Sequence, residues 1–318
     1  MKFASNELLA AKMRALLKSG WLWSLIALWN AGCCGSRPIA EIDPQPPKEW
    51  LAWKAKRLES VAGTNGWATL IGRHWLEEGR NAAGTDPANN VVLPPGRAAA
   101  EVGVFTREGR TVRFEGAAGV AATIDGRPVR SAELRSDREN QPTLLRIGEL
   151  SFVVIERGER IGLRVRDPQA PTRVHFAGLE YLPYDPAWRI EGRFEPYSPA
   201  RTLRVPDIIG DTQSFPSPGA IVFSHGGKES RLDVAEEPGE EDYFVMFHDL
   251  TAGESTYGSG RFLYVAKPDS QGRVVIDFNR AYTPPCGFTA FATCPLPPPQ
   301  NWLPFAVHAG ELKPAGHP

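Results

Sequence analysis

The sequence predicts a mainly β protein: an N-terminal helix, a β-sandwich, and a second β-domain, barrel-like or open, with a proline-rich tail. Three observations predict it. Glycine (31) and proline (29) together make nearly a fifth of the 318 residues, against about 12% in an average chain, which favours turns and short strands over long helices. Short apolar runs recur between dipeptides suited to tight hairpins. A single stretch carries helical periodicity. The charge is balanced, with 36 basic and 37 acidic residues, so the basic excess of a nucleic-acid-binding protein is missing. A hydrophobic share of 42% excludes wholesale disorder.

Residues 1–32 are expected to be a signal peptide. Lys12, Arg14 and Lys18 precede the apolar run 21–29 (WLWSLIALW), and Ala31, Gly32 and Cys33 follow. A charged start, a short apolar run and small residues at the cut form a secretory signal. The run is too short to span a bilayer, which takes about 20 residues. The end resembles a bacterial lipoprotein signal, which implies lipidation of Cys33; Asn30 stands where that pattern has leucine. Residues 33–47, with four prolines in the segment GSRPIAEIDPQPP, are expected to be an extended tether. This places the protein in the bacterial cell envelope, on the periplasmic side, held at the membrane by a lipid anchor.

Residues 48–62 (KEWLAWKAKRLESVA) form the one amphipathic helix, with Leu51, Ala55, Leu58 and Ala62 at helical spacing. Pro46 and Pro47 precede it and Gly63 follows. Trp50 and Trp53, near one edge of that stripe, are expected to pack it on a sheet. From residue 67 to about 173, candidate strands at 91–93, 102–105, 111–114 and 152–155 alternate with turns such as Glu108-Gly109, Asp125-Gly126 and Arg157-Gly158. Many short strands with regular turns predict a sandwich. The order Gly84-Thr85-Asp86-Pro87, Asn90-Val91-Val92-Leu93-Pro94, Asp125-Gly126-Arg127-Pro128-Val129 and Phe152-Val153-Val154-Ile155 looks like a forkhead-associated (FHA) β-sandwich. Thr85 follows Gly84 where that family has arginine, and residues 97–103 (RAAAEVG) hold no Ser-x-x-His. The resemblance therefore implies the fold without the phosphothreonine pocket. The expected module covers residues 48–173, and the second β-domain 174–318.

In the second domain, residues 220–223 and 231–234 flank Gly226-Gly227 as a hairpin. Further strands are expected at 189–194, 243–247, 260–266 and 273–278. The proline-rich stretch 283–304 cannot be a central strand and should wrap a surface as ordered extended chain. The densest polar constellation lies here. Asp277, Asn279, Arg280 and Tyr282 lead into Cys286 and Cys294, and Tyr257 and Arg261 stand upstream. In a strand, Asp277 and Asn279 would share one face. The run 277–286 (DFNRAYTPPC), with 67–79 (WATLIGRHWLEEG), resembles a bacterial and archaeal family catalogued as domain of unknown function 1684. That family carries no established activity, so the resemblance implies none.

Three readings compete for the constellation. In the structural one, Asp277, Arg280 and Arg261 pair with one another. In the second, Tyr257, Arg261, Asp277, Asn279, Arg280 and Tyr282 bind a small anionic or polar ligand, the two arginines acting as forks for carboxylate or phosphate. The third is a hydrolase with Cys286 as nucleophile, His225 or His248 as base and Asp277 as orienter. In an oxidising compartment Cys286 and Cys294 could instead form a disulfide. No histidine pair has the i, i+4 spacing of a helical zinc site, and no phosphate or dinucleotide glycine pattern occurs, so neither metal nor cofactor is expected. The primary expectation is an envelope lipoprotein binding a small ligand or a partner protein; the alternatives are an enzyme and a structural assembly protein.

Overall fold

The computed structural model describes residues 45–315, which fall in one compact unit. The expected signal segment, Cys33 and most of the tether lie outside the described residues. No described helix is long and apolar enough to cross a membrane.

Helix α1 (Lys48–Ala62) starts directly after Pro47, and Gly63 closes it by donating its N–H to Glu59 O at 2.8 Å. Its buried face is Trp50, Arg57 and Val61. Leu51 and Leu58 are 49% and 44% exposed. The leucine stripe read from the sequence therefore points to solvent, and the helix docks instead through polar anchors. Trp50 Nε1 donates to Asn279 O at 2.9 Å, and Arg57 donates to Glu311 Oε2 at 2.9 Å and to Thr283 O at 2.7 Å. Helix α1 thus holds the C-terminal part of the chain. Because Leu58 packs on nothing that must be replaced, Leu58→Lys should change the unfolding free energy by no more than about 0.5 kcal/mol, measured by urea denaturation.

Eleven strands follow: β1 (Leu70–Trp75), β2 (Gly79–Gly84), β3 (Val91–Val92), β4 (Gly103–Glu108), β5 (Thr111–Gly116), β6 (Ala122–Ile124), β7 (Arg127–Val129), β8 (Ser131–Leu134), β9 (Leu145–Ile147), β10 (Leu150–Arg157) and β11 (Arg160–Arg166). They form two sheets, ordered β1-β11-β10-β9-β6-β7 and β3-β2-β4-β5-β8. The sheets pack face to face as a sandwich. Phe105, Phe114 and Phe152 meet at its centre, with ring centroids 5.1 Å and 5.7 Å from Phe105. Strand β5 shows the alternation that the sequence implied: Val112, Phe114 and Gly116 are buried, while Thr111, Arg113 and Glu115 face water. At the β6–β7 hairpin Asp125 and Gly126 both take positive φ, 51° and 74°, as an Asp-Gly hairpin turn requires.

The second β-region holds β12 (Arg189–Pro206), β13 (Thr212–His225), β14 (Lys228–Asp233), β15 (Tyr243–Phe247), β16 (Arg261–Val265) and β17 (Arg273–Asp277). Strands β14-β13-β12-β17 make an open antiparallel sheet and β15-β16 a ribbon. The expected hairpin is β13–β14, turning through Gly226 and Gly227 at φ 57° and 74°. Strand β12 runs far past the expected residue 194 despite its prolines. The β12–β13 register shifts between Pro196 and Arg201, so Pro199 and Pro218 sit where the ladder is already interrupted and a missing N–H costs nothing. The tail is ordered extended chain, as read from its prolines. Ile208 N donates to Cys294 O at 2.9 Å, Leu296 N to Pro206 O at 2.8 Å, and Leu303 N to His248 O at 2.8 Å.

Candidate functional site

The polar constellation anchors this tail. Arg261 is 0% exposed. Its guanidinium donates to Asp249 Oδ1 at 2.9 Å, to Val307 O at 3.0 Å and to Ala309 O. Burial lowers its pKa, and the Asp249 carboxylate opposes that shift. Its terminal nitrogens are spent on these acceptors and its Nε, though unpartnered, is sealed in the core, so Arg261 is not the fork expected from the sequence. Its partner is Asp249, not Asp277.

The chain leaves β17 as a short 3-10 helix, Phe278–Arg280, capped by the Asp277 carboxylate, which accepts from Asn279 N at 3.2 Å. Asp277 and Asn279 therefore do not share a strand face. Asn279 is buried and exchanges hydrogen bonds with the Asp185 backbone, accepting from its N–H at 3.0 Å and donating to its carbonyl at 2.9 Å. Arg280 approaches Asp277 only at 3.6 Å. Tyr257 is buried, and burial together with the neighbouring Cys286 raises its pKa. Of the six residues expected to bind, only Tyr282 reaches a large cavity.

The other sequence readings separate as well. His225 lies against the rings of Trp188 and Phe305, with centroids 4.8 Å and 4.5 Å away, and His248 stacks on Trp302 at 4.9 Å. Neither is brought to Cys286. Cys286 and Cys294 are buried free thiols, so the expected disulfide is not formed, yet the two are adjacent: Cys286 N donates to Cys294 Sγ at 3.2 Å. The Cys294 hydrogen bond pulls the Cys286 thiol down, while burial pushes the Cys294 thiol well up. A pair so placed needs little backbone movement to close. Treatment of the folded chain with diamide should join Cys286 to Cys294, seen by peptide mass mapping, and the short loop should add about 2–3 kcal/mol of stability. Recovery of both thiols in alkylatable form after diamide treatment would refute this.

The cavity lies where four parts of the fold meet. Helix α1 contributes Trp53, Lys56 and Arg57, and the sandwich contributes Trp67, Arg157 and Arg164. The second β-region adds Glu237, Phe244, Phe262 and Tyr264, and the tail adds Tyr282 and Cys294. Its volume is about 700 Å³, in the range of small-molecule sites.

Arg164 is the unusual group. It sits in β11, opposite Arg73 on β1 and Val153 on β10. It is 6% exposed, and it makes no hydrogen bond or ion pair to any described residue. Its Nε is buried with no partner. The guanidinium carbon lies 5.1 Å from the Trp67 ring centroid. Burial, then the charges of Arg157 and Arg166, push its pKa down to about 9. A buried charge without a partner is costly. The other arginines of the wall are already paired, Arg57 with Glu311 and Arg157 with Asp137 at 2.8 Å. A planar fork of donors thus borders an aromatic-lined cavity without a hydrogen-bond acceptor of its own. Sequence reasoning missed Arg164. The signal available was the run Arg160-Ile161-Gly162-Leu163-Arg164-Val165-Arg166, in which Arg160, Arg164 and Arg166 share one strand face.

Fold and site together define a β protein with a partly open cavity, lined by charges of both signs and walled by both of its β-regions. The family described as "Protein of unknown function (DUF1684)" matches residues 174–312. A solution NMR structure of an uncharacterised protein of Haloarcula marismortui is 30% identical, covering 46% of this chain and 82% of that one, with a TM-score of 0.39. The match to this family of unknown function thus covers the second β-region and the tail. Two FHA-domain structures are similar in part. One is the FhaA FHA domain complexed with the intracellular domain of Rv3910, at 15% identity over 30% of this chain and 97% of that one, TM-score 0.22. The other comes from work on phosphothreonine-dependent FHA domain interactions, at 16% identity over 31% of this chain and 96% of that one, TM-score 0.22. No curated protein matches the chain.

Proposed function

We propose that the protein binds a small anionic ligand with an apolar body in the cavity around Arg164, and that it does so as an exported lipoprotein of the cell envelope. The observation that carries the binding reading is the buried, unpartnered Arg164 guanidinium beside Trp67. A carboxylate, sulfate or phosphate ester would accept from its fork, while Phe244, Phe262, Tyr264 and Tyr282 would cover the apolar part. The ligand moves from the Arg261–Arg280 cluster expected from the sequence to a different set of residues, but its chemistry is the one expected there. The address rests on the signal-like segment and Cys33.

Isothermal titration of the full chain with octyl methyl phosphate, a monoanion, and with octanol tests the binding. The phosphate ester should bind and octanol should not. Arg164→Gln should weaken the phosphate ester by roughly tenfold or more, the value of a charged hydrogen bond. Equal binding by wild type and Arg164→Gln would refute the reading. For the address, palmitate should be incorporated in an expressing bacterium and be lost in Cys33→Ser.

A further inference from the structure

We infer that the ligand is a zwitterion, its anionic group taken by Arg164 and its cationic group by Glu237 within the aromatic wall. This rests on the binding reading above and specifies its ligand class.

Arg57 and Arg157 are neutralised by Glu311 and Asp137. Lys56, Arg164, Glu237 and Glu240 line the same cavity, and none of these four has an ion-pair partner among the described residues. A site built only for an anion would not leave carboxylates in its wall, since they repel the ligand. A site built only for a cation would not bury Arg164. Arg164 and Glu237 are not in ion-pair contact with each other, so a single molecule carrying both signs can serve both.

The surroundings of Glu237 fit a cation. Its carboxylate is half-buried and accepts a hydrogen bond from Tyr264 Oη at 2.6 Å. The Tyr264 and Tyr282 rings stack with centroids 6.3 Å apart and an interplanar angle of 16°, and Phe244 packs against Tyr264 at 5.4 Å. Carboxylate and aromatic faces together are what ammonium and quaternary ammonium groups select. One face of Tyr282 is already covered by the Arg57 guanidinium at 4.6 Å, which leaves Tyr264 and its carboxylate partner as the centre of the cationic subsite. Burial holds the Glu237 pKa above its ordinary value against the weaker pull of the Arg138 charge, and a bound cation would supply the close ion-pair partner that Glu237 lacks among the described residues.

Octylphosphocholine and octyl methyl phosphate carry the same phosphodiester and the same chain, and differ in choline against methyl. Titrated calorimetrically into the full chain, octylphosphocholine should bind about tenfold tighter. Glu237→Gln, which keeps an acceptor for Tyr264, should abolish that preference, and it should bind octyl methyl phosphate at least as tightly as wild type because a carboxylate that repels the anion is gone. Arg164→Gln should weaken both. Equal binding of the two by the wild-type protein, or a preference that survives Glu237→Gln, overturns the zwitterion while the anion site stands. Failure of octyl methyl phosphate to bind in an Arg164-dependent way overturns the anion site itself.

Discussion

Asp249→Ala should lower the unfolding free energy by about 3–5 kcal/mol. Asp249 and Arg261 are 1% and 0% exposed and their side chains meet at 2.9 Å. Removing the carboxylate leaves a guanidinium in the core with no counter-charge. It also orphans three donors, because Asp249 Oδ2 accepts from Thr251 N at 3.2 Å, Thr251 Oγ1 at 2.7 Å and Val307 N at 2.8 Å. The tail from Val307 to Ala309 is tied to the same arginine, so its docking should fail with it. The double variant Asp249→Leu/Arg261→Met should be milder, because removing both charges leaves neither unpaired, and its remaining cost is that of the backbone and hydroxyl groups both side chains served. Urea denaturation of both variants checks this. A loss below about 1 kcal/mol for Asp249→Ala would mean that the Arg261 charge finds water or another acceptor.

Arg164→Met should have the opposite sign. Here the wild-type protein already bears the unpaired charge, and the substitution replaces it with an unbranched apolar side chain of similar reach. The ligand-free protein should gain stability on the order of 1–4 kcal/mol, as when buried charges elsewhere are exchanged for apolar residues, and it should lose affinity for octyl methyl phosphate. Stability gained and binding lost together mark a residue kept for function at a cost to the fold. Two buried arginines of one chain are thus distinguished by their surroundings: Arg261 has a carboxylate and two carbonyls for its terminal nitrogens, although its Nε is unpartnered, and Arg164 has no acceptor among the described residues.

Much of the architecture was legible because it depends on local chemistry. Asp125-Gly126 and Gly226-Gly227 fix their hairpins through positive φ, and the prolines of the tail forbid a central strand. The exposed Leu51 and Leu58 were misread because a helix docked through Trp50 and Arg57 need not bury its leucines. The Arg261 cluster was visible as a concentration of polar residues, but its key partner, Asp249, stands in an unremarkable His248-Asp249 pair. Arg164 was hidden for a related reason. In a two-layer sandwich such an arginine faces water, but Arg164 lies over the Trp67 ring and shares its cavity with Thr293 and Cys294 of the tail, so burial at that position is decided by residues far away in sequence. Pairing across 100 residues or more leaves no periodic trace.

The central claim is that Arg164 is held uncompensated in order to meet an anion. Its most direct test is the urea midpoint of wild type and Arg164→Met, each measured against rising octyl methyl phosphate. A ligand that binds only the folded state stabilises it by RT ln(1 + [L]/Kd). The wild-type midpoint should climb with ligand concentration, and the variant should start higher and stay flat. A variant that starts lower and climbs in parallel with wild type would contradict it.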